Sequence, residues 1–318
     1  MKNNSFYYSV GALLYCPANK KDLADAVIHE KFDQPFSLAL CLEDTIGDTH
    51  VAEAEQILLA SVQKIYEQSQ EQEFYLPKIF IRVRNAAQIL RLSNEFGASG
   101  KIITGFIVPK FSIANATDYI QAITEANNNH RMYMMPIYES ADIIDPRSRI
   151  DLLYTLKDML SGIEELVLNI RVGGNDLCHI FGFRRHADES IHKIRPIADI
   201  FSDIVTVYGM DYVISGPVWE YYSGEGWESG LRQELADDRL CGFTGKTVIH
   251  PNQISVVNDS YRIAASDLAD AKSILNWDTD AHSLVSGSAK KERMNEFKTH
   301  SNWAQKILFL AETFGIRN

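Results

Sequence analysis

Two patterns of hydrophobic and polar positions alternate along most of the chain. Short apolar runs recur, and several are continuous, as expected for strands covered on both faces in a parallel sheet. The segments between them are polar and space their apolar residues at helical intervals, as in NKKDLADAVIHEKF and THVAEAEQILLASVQKIYEQ. The predicted strands span residues 7–16, 36–43, 78–84, 103–110, 131–139, 165–172, 211–217 and 246–251.

Eight strand–helix units within about 250 residues predict a TIM (β/α)8 barrel, an α/β fold of that usual size. A doubly wound sheet is the alternative. After residue 258 no strand is predicted, and two helical segments are joined by the Gly- and Ser-containing stretch SLVSGSAKKERMNEF. The chain therefore divides into a barrel domain, residues 1–258, and a C-terminal helical segment, residues 259–318, which we expect to serve as a lid and in oligomerisation.

The composition limits the class of protein. A chain of 318 residues, 46% of them apolar, can bury a large core, and its net charge of −11 argues against nucleic acid or an anionic membrane as the main partner. The four cysteines lie far apart, and no stretch approaches the roughly 18 apolar residues of a membrane span. We expect a cytoplasmic protein whose partner is a small anionic molecule, held by local Arg or Lys side chains.

Charged residues cluster where the predicted strands end. In a TIM barrel the active site is built from residues at the carboxyl ends of several strands. Each residue has an ordinary alternative role, such as capping a helix or lying in a solvated loop, but their joint position at one rim favours a site. The residues at these ends are Glu43, Asp44, Arg82, Arg84, Lys110, Glu139, Asp176 and His250.

Glu139 and Asp176 are the candidate metal ligands. Asp176 follows the glycine pair in NIRVGGNDLCHIFGF, where it or Asn175 could instead cap the next helix. Glu139 ends the preceding predicted strand. Mg²⁺ typically takes one or two protein carboxylates and completes its shell with water and substrate oxygens. The pair therefore predicts a site for Mg²⁺, which Mn²⁺ could also occupy.

Arg82 and Arg84 are the candidate anion-binding residues. Two residues apart on a strand, both side chains would face the same side, and a buried arginine there needs an anionic partner. The alternative is that Arg84 lies beyond the strand and is solvated. A divalent cation and an arginine at one cavity suit enolate chemistry, because both stabilise developing negative charge.

An ordered set of motifs resembles the citrate lyase beta-subunit-like branch of the HpcH/HpaI aldolase family. The motifs follow one another in family order between residues 13 and 254, and the last is the most specific. The resemblance implies a TIM barrel, Mg²⁺, and cleavage or formation of a carbon–carbon bond next to an enolate, often that of a CoA thioester. The matching stretches are LCLEDTI, IRVRN, GFIVPKF, MPIYES, VGGNDL and CGFTGKTVIHPNQI.

The resemblance also implies roles for single residues. Carried onto matching positions, Glu139 and Asp176 would bind Mg²⁺, and Arg82 or Arg84 would hold the enolate oxygen or a substrate carboxylate.

Five further positions take implied roles at the rim and in cofactor binding. Glu43 and Asp44 would order water around the metal. Asn19, Lys20 and Lys21 lie close to where the relatives hold the CoA phosphates; their ordinary alternative is a solvated helix start.

The C-terminal segment resembles the lid of the lyase relatives over residues 292–308. In those relatives an acid in the lid of a neighbouring subunit assists proton transfer, and Glu296 stands where they usually have Asp. The apolar side chains of WAQKILFLAETF must dock on something. We expect a homo-oligomer, a trimer or hexamer, in which this segment closes a neighbour's site. The alternative is a helix packed on its own barrel, with Glu296 in solvent.

Departures from the family motifs leave the substrate open. Ala18 replaces a usual Gly, Cys41 replaces an Asp, and Ser215 replaces the Asp of many relatives. The leading interpretation is a Mg²⁺-dependent lyase or aldolase acting on a 3-hydroxyacyl-CoA thioester or related hydroxy acid. The alternatives are a thioester hydrolase or pyruvate-type aldolase on the same metal site, or a barrel that binds metal and acid without catalysis.

Overall fold

A computed structural model describes residues 2–278, 283–288 and 290–317. Each predicted strand overlaps an observed strand, and the observed strands are shorter. The first begins only at Ala12, because residues 5–8 form a 3-10 turn. The strands are β1 Ala12–Pro17, β2 Ser37–Cys41, β3 Lys78–Arg82, β4 Ile103–Val108, β5 Tyr133–Tyr138, β6 Ile170–Val172, β7 Ile214–Ser215 and β8 Lys246–Val248.

The eight strands form one parallel sheet in the order β7-β6-β5-β4-β3-β2-β1-β8. Each strand from β1 to β6 pairs with the next in the chain, and β8 pairs with β1 through residues that include Leu13 and Thr247. A parallel bridge between Gly216 and Lys246 joins the two outer strands. The sheet is therefore closed on itself, which confirms the predicted TIM barrel.

Helices surround this barrel in the usual alternation with the strands. An extra helix, α6, begins only two residues after β6, so its first turn lies at the carboxyl end of the barrel. The barrel helices are α1 Leu23–Ile28, α2 Val51–Glu71, α3 Ala86–Glu95, α4 Ile113–Ala126, α5 Arg149–Ser161, α6 Gly174–Phe181, α7 Arg195–Tyr208, α8 Trp227–Leu240 and α9 Asn252–Tyr261. None of the helices in the described part of the chain combines the length and apolar character needed to cross a bilayer.

Successive residues of each strand point alternately into the barrel and toward the helices. Because Phe80 of β3 packs inside the barrel, Arg82, two residues later, points inward as well. Each of the first five strands contributes to the interior cluster, which contains Leu13, Ala39, Phe80, Ile107, Met135 and Ile137.

The C-terminal segment contains short strands that the sequence pattern did not predict. Strand β9 Ile263–Ala264 pairs in parallel with β12 Ile316–Arg317, and β10 Val285–Gly287 pairs with β11 Met294–Glu296 in an antiparallel hairpin. The expectation that strands stop after residue 258 is therefore wrong in detail. Strands of two or three residues are too short to show a hydrophobic period. Residues 279–282 and 289 of this segment lie outside the described residues.

Helices α10 Ala265–Leu275 and α11 Phe297–Phe314 pack on each other and on the barrel of their own chain. Phe309 stacks on Tyr8 with ring centroids 5.4 Å apart, and Lys306 Nζ donates to the Gly242 carbonyl at 3.3 Å. Tyr8 and Gly242 precede β1 and β8 in the chain. Helix α11 therefore covers the amino-terminal end of the barrel, where its apolar face is docked.

A fully buried ion cluster joins α8 to β8. Lys246 Nζ lies 2.9 Å from Glu234 Oε1 and 2.7 Å from Asp238 Oδ2, and all three side chains are inaccessible to solvent. His192 Nε2 contacts Asp238 Oδ1 at 2.7 Å, and Arg185 Nη2 contacts Glu234 Oε1 at 3.3 Å. Burial of this many charges is tolerated only because each has an opposite charge in contact.

We expect Lys246→Met to lower the free energy of unfolding by about 3–5 kcal/mol, because it leaves Glu234 and Asp238 buried without their shared cation. Urea unfolding of the variant and the parent measures the difference. The matched control is Lys64→Met, which removes an exposed pair with Asp25 and should cost less than about 1 kcal/mol. Equal, small effects in both variants would contradict the assigned importance of the buried cluster.

Candidate active site

A cavity of about 310 Å³ opens at the carboxyl ends of the barrel strands. Its lining residues come from β1, β2, β3, β5, β6 and β8 and from the loops after β2, β5, β6, β7 and β8, as expected for a TIM-barrel active site. Its size is near the lower limit for ligand pockets, about 300–1,000 Å³, so it suits a small molecule. The lining side chains that carry a charge or a hydroxyl are Tyr15, Asp44, Thr45, Arg82, Glu139, Arg171, Asp176 and Thr247.

The carboxylates of Glu139 and Asp176 face this cavity together. Glu139 follows β5 and is buried, and Asp176 lies in the first turn of α6. Gly173 makes this approach possible: a Cβ there would lie 2.1 Å from Glu139 Oε2. Helix α6 begins without a side-chain cap, and nowhere in the described ranges does a donor bind the Asp176 carboxylate. The capping alternative for Asp176 is therefore not observed.

The pair fits a divalent cation. Burial raises the pKa of the Glu139 carboxyl to about 8; Arg82 opposes the rise and Asp176 adds to it. A cation between the two carboxylates would relieve that repulsion. Within the described part of the chain, no three His, Cys, Asp or Glu residues form a metal-binding group. Two carboxylates are the number that Mg²⁺ typically takes from a protein.

Arg82 is held by three carboxylates from two loops, those after β2 and β5. Its Nη2 lies 2.9 Å from Glu43 Oε2, 2.9 Å from Asp44 Oδ2 and 3.3 Å from Glu139 Oε1. Its Nε is buried and has no hydrogen-bond partner among the residues described. Glu43 and Asp44, which we expected to order water around the metal, thus contact the guanidinium of Arg82.

Lys110 links the same acids from the loop after β4. Its Nζ lies 2.5 Å from Glu43 Oε1 and 3.4 Å from Asp44 Oδ1, and its backbone N–H donates to Glu139 Oε1 at 3.1 Å. The Lys110 backbone has a φ of 50°, the left-handed conformation that is uncommon outside glycine. This strained turn allows the main chain and the side chain of one residue to bind two different carboxylates.

Arg84 lies outside the cavity. Because β3 ends at Arg82, the expectation that both arginines face the same side is not met. The Arg84 guanidinium donates to the carbonyls of Leu42 and Ile46, each at 2.8 Å, and to Asp48 Oδ1 at 2.7 Å. It therefore braces the loop that carries Glu43 and Asp44, and only Arg82 is in position to touch a ligand.

The cavity also contains residues that were not singled out from the sequence, among them Tyr15, Arg171 and Thr247. Arg171 lies on β6, is only 2% exposed, and donates through Nη2 to Thr247 Oγ1 at 2.6 Å. Tyr15 lies between the two cavity arginines, with Arg82 5.8 Å from its ring centre. Burial raises the pKa of the Tyr15 hydroxyl, so it stays protonated at neutral pH. The available signal was Arg171 itself, a charge inside the apolar run ELVLNIRV.

The remaining predicted residues are outside the cavity. Asn19, Lys20 and Lys21 are exposed and follow β1 directly, at the cavity end of the barrel. Glu296 ends β11 and precedes α11, and the cavity has no lining residue from the described part of 259–318. A catalytic role for Glu296 therefore requires a second copy of the chain. The shared lid and the trimer or hexamer stay predictions.

A family model described as a C–C bond lyase of the TIM-barrel fold matches residues 4–316. The chain belongs to this family. The match spans nearly the whole sequence and confirms the resemblance to the citrate lyase-like aldolases. The C–C bond lyase family also confirms that this protein is an enzyme of the carbon–carbon lyase type.

Two solved structures share the fold of this C–C bond lyase. CitE from Mycobacterium tuberculosis, in complex with magnesium, acetoacetate and coenzyme A, has a TM-score of 0.65 at 18% identity and covers 96% of this chain and 99% of its own. RipC from Yersinia pestis has a TM-score of 0.56 at 16% identity, covering 82% and 99%. These identities establish the fold alone. A search of curated proteins finds no match.

We expect Gly173→Ala to weaken Mg²⁺ binding by at least about tenfold, because the added methyl group would displace the Glu139 carboxylate. Calorimetric titration with Mg²⁺ and with Mn²⁺ measures the affinity. Gly162→Ala is the matched control, since an added Cβ there meets nothing within 4 Å and the backbone is helical. Unchanged metal affinity in a folded Gly173→Ala protein would show that Glu139 does not bind the metal.

Proposed function

We propose that this C–C bond lyase is Mg²⁺-dependent and cleaves or forms a bond next to an enolate, on a 3-hydroxyacyl-CoA thioester or a related hydroxy acid. The observation that carries the proposal is the pair of Glu139 and Asp176 carboxylates facing one cavity beside Arg82. The solved CitE complexes with magnesium and with pyruvate, or with acetoacetate and coenzyme A, support it by analogy of fold.

Glu139 and Asp176 would hold the metal. Their carboxylate oxygens are the hard ligands that Mg²⁺ prefers, and water and substrate would complete the shell. When bound, Mg²⁺ supplies positive charge that polarises the substrate oxygens. Gly173 keeps the space in front of Glu139 free, and the backbone N–H of Lys110 fixes the other oxygen of that carboxylate.

Arg82 would stabilise the negative charge that develops during cleavage. In such a cleavage the substrate hydroxyl loses its proton, the carbon–carbon bond breaks, and the electron pair passes to the enolate, which then takes up a proton. The three carboxylates around Nη2 hold the guanidinium in place before substrate binds, so little reorganisation is needed in the transition state.

A CoA thioester is part of the proposal because of the residues outside the cavity. The cavity accommodates an acyl group but not the whole of CoA. Asn19, Lys20 and Lys21 are exposed at the end of β1, where two ammonium groups could contact the CoA phosphates. A free hydroxy acid has no CoA phosphates and would not contact these residues. The two kinds of substrate would therefore differ in whether they bind to this part of the surface.

The decisive experiment is a screen for release of pyruvate, acetate or acetyl-CoA from hydroxy acids and their CoA thioesters in the presence of Mg²⁺. We expect turnover in the parent, and we expect the double variant Glu139→Gln, Asp176→Asn to lose at least about 100-fold in metal affinity and all measurable turnover while staying folded. Thioester hydrolysis without carbon–carbon cleavage would favour the hydrolase alternative. Undiminished metal affinity in the double variant would refute the assigned ligands.

We expect Arg82→Lys to lower kcat by at least about tenfold, a loss of roughly 1.4 kcal/mol in transition-state stabilisation, because Lys lacks the planar guanidinium that holds its N–H donors in fixed directions. Arg84→Lys is the matched control and should change kcat by less than about threefold, since its partners, loop carbonyls and Asp48, lie outside the cavity lining. Steady-state kinetics on the substrate found in the screen measures both. An active Arg82→Lys enzyme would remove this arginine from the mechanism.

A further inference from the structure

A second cavity of about 310 Å³, here called the amino-end cavity, opens at the amino ends of the barrel strands. Val10 and Gly11 of its lining precede β1, Phe36 precedes β2, and Lys78 begins β3. Another wall comes from residues 312–314, the last three of α11. The two cavities have no lining residue in common among those described. A ligand in the amino-end cavity would therefore contact both the barrel and the C-terminal helix, away from the proposed metal position.

Lys78 contributes a positive charge without an anionic partner to the amino-end cavity. Its side chain is partly buried. Within the described part of the chain its ammonium forms neither an ion pair nor a hydrogen bond, and Nζ lies 5.7 Å from the centre of the Phe6 ring. Burial lowers the pKa of this ammonium, as expected for a cation with no anion in contact. A carboxylate bound in the cavity would supply the missing negative charge.

The same lining contains two oxygen groups that can accept further hydrogen bonds. Glu312 is exposed, accepts one bond from Ser5 Oγ at 2.9 Å, and forms no ion pair with any described residue. Asn258 donates through Nδ2 to the Pro35 carbonyl, while its Oδ1 accepts no bond from the residues described. Carboxylate and amide oxygens are suitable acceptors for an ammonium group. Because Lys78 and Glu312 do not pair with each other, the lining offers one positive and one negative group to a single ligand.

Aromatic side chains form the apolar surface of the amino-end cavity. The ring centres of Phe36 and Tyr75 are 5.7 Å apart. The Tyr75 hydroxyl accepts from the Phe36 N–H at 3.0 Å and donates to the Phe36 carbonyl at 2.8 Å, which fixes this pair. Gly11 leaves room for Phe314, because a Cβ there would lie 3.2 Å from Phe314 Cε1. Aromatic rings pack well on one another, and the cavity volume suits a ligand with a single ring. The aromatic lining residues are Phe6, Phe36, Tyr75 and Phe314.

We propose that the amino-end cavity binds a free α-amino acid with an aromatic side chain. The carboxylate of the ligand pairs with Lys78, its ammonium group binds Glu312 and Asn258, and its ring packs among the aromatic side chains of the lining. The inference goes beyond the proposed function and does not depend on it, since none of these residues takes part in carbon–carbon bond cleavage. Because α11 forms one wall, the bound amino acid stabilises the docking of this helix on the barrel.

Four small molecules test which features of the ligand are recognised. They are phenylalanine, 3-phenylpropanoate, which lacks the ammonium group, 2-phenylethylamine, which lacks the carboxylate, and alanine, which lacks the ring. Calorimetry measures the affinity of each. We expect the parent to bind phenylalanine at least about fivefold more tightly than each of the other three. A parent without measurable affinity for phenylalanine, or with equal affinity for all four, overturns the proposal.

Two variants assign the charged ends of the ligand to their partners. We expect Lys78→Met to weaken binding of phenylalanine and 3-phenylpropanoate at least about fivefold and to leave 2-phenylethylamine unaffected. Glu312→Gln should weaken phenylalanine and 2-phenylethylamine and leave 3-phenylpropanoate unaffected. Lys101→Met and Glu125→Gln are the matched controls, since both side chains are exposed outside this lining and the charge changes are the same.

A loss of affinity that does not follow the charge of the ligand overturns the assigned partners. Lys78→Met or Glu312→Gln proteins with the parental affinities do the same. If Lys78→Met does not fold, Glu312→Gln alone carries the test, because its side chain is exposed and glutamine can still accept from Ser5. Thermal unfolding gives an independent readout: phenylalanine should raise the Tm of the parent and not that of Lys78→Met.

The double variant Glu139→Gln, Asp176→Asn separates this inference from the proposed function. We expect it to bind phenylalanine as tightly as the parent does, because the two cavities have separate linings. Loss of phenylalanine binding in this variant would place the ligand in the active site and overturn the second site. A parent that binds phenylalanine but not Mg²⁺ would overturn the proposed function alone.

Discussion

The contact of Arg82 with three carboxylates determines the geometry of the cavity. Glu43, Asp44 and Glu139 reach one guanidinium nitrogen from the ends of two different strands, so the loops that carry them are positioned by a shared electrostatic partner. Most side chains at this mouth depend on that contact. Arg84 braces the loop behind Glu43, and Lys110 binds Glu43 and Glu139 from the opposite side. The planar guanidinium holds this nitrogen in a fixed direction between the carboxylates, which the flexible ammonium of a lysine would not do.

The charges around the cavity suit a bound metal ion and an anionic substrate. Three cationic side chains and four carboxylates lie at or next to the cavity, and they are unevenly distributed. The acids surround Arg82 and the proposed metal position, whereas Arg171 stands apart from them. A divalent cation would make the cluster net positive, which suits an anionic substrate. The groups are Arg82, Lys110 and Arg171, and Glu43, Asp44, Glu139 and Asp176.

The two ends of the barrel differ in function: one carries the cavity and the other binds helix α11. The carboxyl ends of the strands carry the cavity, and the amino ends carry the docked helix α11 through contacts such as Tyr8 with Phe309. The apolar face of α11 is thus used within its own chain. Glu296, at the start of that helix, is remote from the cavity lining of the same chain. If the C-terminal segment closes an active site, that site belongs to another subunit.

The sequence by itself determined the barrel, the positions of its eight strands, and the likeness to citrate lyase-type enzymes. It could do so because a buried parallel strand is a continuous apolar run and because strand ends carry the polar residues of a TIM barrel. Glu139, Asp176 and Arg82 were predicted for that reason, and the tertiary structure brings them to one cavity. Only the tertiary structure showed that Arg82 faces the cavity and Arg84 does not. The observed strand ends at Arg82, two residues before the predicted end, so the side chain of Arg84 no longer follows the alternation of the strand. Arg171 likewise could not be predicted as a cavity residue, because its burial beside Thr247 joins positions 76 residues apart through closure of the barrel.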